Sequence, residues 1–173
     1  ARLRTLAIDY RRAPEHPYPA AHDDALASWH FLRSQGYPAN SIAVGGDSAG
    51  GNLALALIER LRAAGEELPA CAWLVSPWTD LTMSGATLQA KDDVDPLIHK
   101  AYLTELADAY APPPLDRRDP LISPLFADLS GFPPMLIQVG SAETLLADAT
   151  RLAEAAGVAR VEQEGLHQLH QLG

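Results

Sequence analysis

The segment SIAVGGDSAGGNL, residues 41–53, places the tightest constraint on what this chain can fold into. Glycines at 45, 46, 50 and 51 crowd around Ser48, directly after an apolar run. Residues 49–64 carry Leu53, Leu57 and Leu61 at helical spacing, and Gly65 stops the pattern. G-x-S-x-G between a strand and an amphipathic helix describes a sharp strand-to-helix reversal with the serine at its tip. Side chains two residues either side of that serine would collide, which predicts a need for glycine at 46 and 50. The turn lifts Ser48 above a sheet. The amide of Ala49, at the helix N-terminus, is then placed to donate to a developing oxyanion.

The rest of the chain alternates short apolar runs with amphipathic stretches. Strands are expected at residues 5–9, 41–44, 70–76, 135–139 and about 160–163, and helices at 23–34, 49–64 and 144–156. The third strand, ACAWLVS, is apolar almost throughout and is expected to be buried on both faces. Such alternation predicts an α/β chain with a mostly parallel sheet flanked by helices. Residues 79–131 interrupt the pattern with a long insertion containing a helix around 97–110, and an insertion of that length over a parallel sheet suggests a cap above a site. A single domain of 173 residues accommodates all of this.

A serine hydroxyl needs a base to take its proton and an acid to orient that base. In strand-to-helix elbow enzymes the chain order is serine, acid, histidine. Of six histidines, only His167 and His170 follow the last strand–turn able to supply the acid. His16, His22, His30 and His99 are expected at the surface or in packing roles. The acid belongs on the turn past a strand's C-terminal end. In GSAETLLAD, Glu143 occupies that turn, and Asp148, a turn further into the helix, is the alternative.

Composition narrows the remaining classes. A formal charge of −9 without a Lys/Arg cluster speaks against a nucleic-acid surface. No run approaches the roughly 18 unbroken apolar residues of a membrane span. No histidine–carboxylate set has metal-ligand spacing on one element. The lone Cys71 reads as a small buried hydrophobe of a reduced compartment, so a cytoplasmic setting is expected. Because ARLRTLAIDY opens on the run-in to a strand, the chain reads as the C-terminal portion of a longer protein.

Four motifs, in order, then resemble a known family: DYRRAPEHPYPAA (residues 9–21), GDSAGG, SPWTDLT (76–82) and DPLISPLFADLSGFPPMLIQVGSAETLLADA (119–149). Together they are similar to the hormone-sensitive-lipase-like bacterial carboxylesterases of the α/β-hydrolase superfamily. The resemblance implies an α/β-hydrolase fold with a helical cap, and hydrolysis of short-chain carboxylic esters without a cofactor. It also implies a nucleophile at Ser48, an acid at Glu143, and frequent dimerisation through a sheet edge. Asp47 would be structural, and Tyr10, Arg11 and Glu15 would brace the loop beside the sheet. An HGGG motif, which supplies oxyanion donors in that family, would lie upstream of residue 1. The family's G-x-x-H segment falls on EGLHQLHQLG, where Gln168 stands at the histidine position. A one-residue deletion favours His167 as the base, with His170 as the alternative. The same scaffold without a working histidine would be a small-molecule receptor, or an inactive piece of an esterase.

Overall fold

The computed structural model describes residues 3–157. Strands β1 (Ala43–Asp47), β2 (Cys71–Val75) and β3 (Met135–Gln138) form a parallel sheet in the order β1-β2-β3. Asp47 lies opposite Val75 and Val75 opposite Gln138, so the three strands end level with one another. Parallel neighbours require a crossover. Helix α2 (Ala49–Ala63) makes the first. The second is the insertion, with short helix α3 (Thr87–Ala90), helix α4 (Lys100–Tyr110) and a 3-10 turn at Pro124–Phe126. Helix α1 (Ala20–Ser34) precedes the sheet and α5 (Leu146–Ala155) comes after β3.

Helix α2 holds two layers together because it is apolar on two sides. Leu53, Leu57 and Leu61 pack on Ala21, Ala25 and Trp29 of α1. Ala54, Leu55 and Ile58 press on Ala72 and Leu74 of β2 together with Leu152 of α5. Leu55, Ile58 and Leu74 are fully buried, each contributing roughly 1.5–3 kcal/mol relative to exposure. The insertion builds an apolar cluster from Leu81, Leu88, Leu103, Ala107 and Ile122 around Trp78, which reaches Leu145 at the head of α5. Helix α4 begins at Lys100, three residues later than its periodicity suggests. Carboxylates hold the preceding residues in a turn, with Asp95 accepting from the amides of Leu97 and Ile98 and Asp92 from that of Lys100.

Two expectations about the sheet are corrected. Residues 5–9 form no ladder with any described strand. A cleft of about 460 Å³ separates Thr5–Ile8 from the backbone of β1, and ladder hydrogen bonds need strands about 4.8 Å apart. Nor is β2 buried on both faces, since Trp73 is 54% exposed and its neighbour Leu136 59%. The cores of α2 and α5 lie against Ala72 and Leu74, the alternate residues of the strand, so the described helices cover one face. The strand expected at 160–163 lies outside the described residues.

Leu74, at the centre of the covered face, reports on this arrangement. Leu74→Ala is expected to cost about 2–5 kcal/mol, read as a lower denaturant midpoint with an unchanged slope.

Candidate active site

Ser48 sits one residue past β1 with φ 53° and ψ −114°, a left-handed backbone that non-glycine residues rarely adopt. Four backbone hydrogen bonds pin it there. Its amide donates to Val75 O at 2.9 Å, carrying the β1–β2 ladder one step further. Its carbonyl accepts from Gly51 and Asn52, starting α2, and from Trp78 at 3.1 Å. A Cβ at Gly46 would come within 2.3 Å of the Gly50 backbone, and one at Gly51 within 2.9 Å of Pro77. Glycine at 46 is thus sterically required. The matching expectation for Gly50 is corrected: a Cβ there meets nothing within 4 Å among the described residues. The tight partner on the helix side is Gly51, whose close neighbour comes from the loop after β2.

Glu143 stands past β3 on a turn at the same end of the sheet. With the strands ending level and β2 between them, the axes of β1 and β3 are about 10 Å apart. Glu143 is half-buried, and its Oε1 accepts the Gly140 amide at 2.7 Å. His167 and His170 lie outside the described residues. The structure therefore brings Ser48, Ala49 and Glu143 to one end of the sheet. The remaining histidines behave as expected. His22 is buried against Tyr18 and Tyr110, with Tyr110 Oη 2.7 Å from its Nε2. Burial, helped by Arg60, lowers its pKa to about 4. His16, His30 and His99 are exposed.

Ala49 opens α2 and lines an apolar pocket of about 210 Å³, with walls from Tyr10, Asn52, Trp78, Leu106 and Tyr110. First-turn amides of a helix lack intrahelical acceptors and carry the positive end of its dipole. Trp78, just before the insertion, supplies one of these walls. From the insertion, Leu81, Leu106 and Tyr110 line the pocket, whereas Leu97 and Tyr102 are 80% and 50% exposed. Arg11 ties its loop to α1 by donating to both carboxylate oxygens of Asp24, whereas Glu15 is exposed. Among the described residues no group of three His, Cys, Asp or Glu is placed to hold a metal, and no helix is long and apolar enough to cross a membrane.

Motif spacing does not point to a second set of buried polar residues. Asn52 donates both amide hydrogens, to Trp78 O at 2.9 Å and Ile122 O at 3.0 Å, tying α2 to the insertion. Asp148 does not face solvent on its helix. It is fully buried, and its Oδ2 accepts the amides of Thr79 and Asp80, each at 2.9 Å. Asp80 in turn pairs with Arg151 of α5 at 2.9 Å. The strap from Pro77 to Asp80 is thereby fixed at one end to the serine turn and at the other to α5. A buried polar side chain on an apolar helical face, as Asp148 is between Leu145 and Leu152, is the signal that marks such a clamp.

Known proteins share this architecture. A family model described as the alpha/beta hydrolase fold matches residues 1–171. An acetyl-hydrolase of Streptomyces hygroscopicus is 46% identical over 151 residues, covering 87% of this chain and 50% of that protein. An esterase of Acinetobacter venetianus is 41% identical over 160 residues, covering 92% and 53%. The crystal structure of an esterase from the bacterial hormone-sensitive lipase family superposes with a TM-score of 0.84 at 44% identity, over 91% of this chain and 53% of that one. The chain thus spans about half the length of the curated relatives it matches.

Asp148 gives the fold a pH dependence. Burial dominates and raises its pKa from the ordinary 3.8 to about 7, against the pull of the two amides. Between those pH values the folded state holds a proton that the unfolded state has released, so the contribution of this group to stability is full below about 4 and lost as pH rises through 7. Relative to Asp148→Asn, the wild-type chain should lose stability as pH is raised from 4 to 7, checked by denaturant titrations at several pH values.

Proposed function

We propose, for a chain that belongs to the α/β-hydrolase fold family and is similar to its hormone-sensitive-lipase-family esterases, a serine carboxylesterase activity through an acyl-enzyme. The observation that carries it is Ser48 itself, held at φ 53° one residue past β1, directly before the N-terminus of α2. Packing alone gives no reason to hold a serine in such a conformation, whereas a nucleophile that must stand clear of the sheet does.

In the proposed reaction the Ser48 hydroxyl attacks the ester carbonyl while His167, or His170 in its place, takes the proton. Glu143 orients the imidazole and stabilises the imidazolium. The carbonyl oxygen becomes an oxyanion opposite the Ala49 amide, and one such donor is typically worth about 2.7–4 kcal/mol. On collapse the C–O bond breaks and the imidazolium protonates the leaving alcohol. Water then attacks the acyl-enzyme by the same route in reverse. No step calls for a metal or cofactor. The insertion acts as the cap, lending Leu106 and Tyr110 to the apolar pocket beside Ala49. A pocket of about 210 Å³ suits a short acyl or alkoxy group, and the acetyl-hydrolase name of the Streptomyces relative supports the same substrate size.

The test is hydrolysis of p-nitrophenyl acetate or butyrate by this chain beside its Ser48→Ala variant. The variant should lose at least about 10⁴-fold in kcat/KM. Equal rates for the two would refute the nucleophile, and no hydrolysis by either would leave a binding protein or an inactive piece as the function of the chain alone.

A further inference from the structure

Glu143 stands on a turn that the insertion holds from two sides. The next residue, Thr144, is fully buried and offers both its donors to one oxygen of Asp95. The Thr144 amide lies 2.8 Å and its hydroxyl 3.1 Å from Asp95 Oδ2. Asp95 belongs to the insertion, 49 residues earlier in the chain, and is only 4% exposed. Its other oxygen, Oδ1, accepts the amides of Leu97 and Ile98 at 3.0 Å each. Thr87 of α3 closes the turn from the opposite side. Its hydroxyl donates to Thr144 O at 2.7 Å and accepts from the Ala147 amide at 2.8 Å.

Asp95 therefore takes four donors on two oxygens, two from the insertion and two from Thr144. Burial works to raise its pKa, but the hydrogen bonds from Thr144, Ile98 and Leu97 outweigh this and hold the carboxyl below the usual carboxylate range. Only a carboxylate accepts on both sides. An amide of the same shape would turn its NH₂ toward one of the two donor pairs and break it.

We propose that Asp95 is the positioning residue for Glu143: it locks the turn carrying the acid to the insertion, so that the acid is aligned only while the insertion is docked. This rests on reading Glu143 as the acid of the triad. A carboxylate displaced by even 1 Å from the imidazole it orients costs on the order of 10²-fold in rate. Asp95 acts through Thr144 and touches no reacting atom.

Hydrogen exchange followed by mass spectrometry on Asp95→Asn tests the link without requiring turnover. Leu61→Ala, a cavity in the remote α1–α2 core, serves as a control for general destabilisation. Asp95→Asn should raise exchange selectively in peptides covering residues 139–147, where Leu61→Ala does not, and leave β1 and β2 protected. With p-nitrophenyl butyrate, kcat should fall on the order of 10²-fold while KM changes little. Unchanged exchange at 139–147, or a rise spread evenly over the chain as in the control, would overturn the proposal and leave Asp95 as a local cap for Leu97 and Ile98. So would a loosened turn with undiminished kcat. Should the wild-type chain fail to hydrolyse the ester, the esterase reading fails by itself, and the exchange result still decides whether Asp95 holds the turn.

Discussion

The hydrogen bond from the Ser48 amide to Val75 O is the contact on which the site depends. It extends the β1–β2 ladder one residue into a backbone conformation that a non-glycine residue otherwise avoids, at a cost of order 1–3 kcal/mol. That cost is offset by the interactions around it. The strand on one side is paired, the helix on the other starts from the carbonyl of the same residue, and Gly46 lets the two backbones approach. Removing any of these would let the turn relax into an ordinary loop, and Ser48 would become a surface hydroxyl.

From this turn, rigidity spreads through buried polar contacts. Trp78 donates to Ser48 O, and Asn52 reaches back to Trp78 O and onward to Ile122 O. Asp148 then takes the amides of Thr79 and Asp80 and so joins the same strap to α5. Asp95 and Thr87 bind the turn at Thr144. Hydrophobic area could not do this, because burial is non-directional and leaves register loose. Directional acceptors fix the separation between the ends of β1 and β3. A buried acceptor that loses its donors is costly, so each link resists opening.

Much of this architecture is legible in the sequence, for physical reasons. The 3.6-residue spacing of Leu53, Leu57 and Leu61 specifies an amphipathic helix whatever surrounds it, and Gly65 adopts the positive φ of 68° that ends it. The turns after β1 and β3 are set by local chemistry, so Ser48 and Glu143 can be placed by strand–turn logic alone. Other features depend on what lies across space. Residues 5–9 have strand composition, but ladder formation needs a neighbour at the right distance. The exposure of Trp73 depends on which face the helices take, and a continuous apolar run such as ACAWLVS does not encode that. Gly50 and Gly51 look alike in the motif, and only the position of Pro77 tells them apart. The role of Asp95 is illegible because its donors, Thr144 above all, reach it only through the tertiary fold.

The most direct test of the central claim is covalent. A fluorophosphonate probe reacts only with a serine whose hydroxyl is activated and whose oxyanion is stabilised. Mass spectrometry of the labelled, digested chain should find a single adduct, on the peptide containing Ser48. An adduct on another serine, or an unlabelled chain that is otherwise folded, would contradict the claim that this strained turn exists to present a nucleophile.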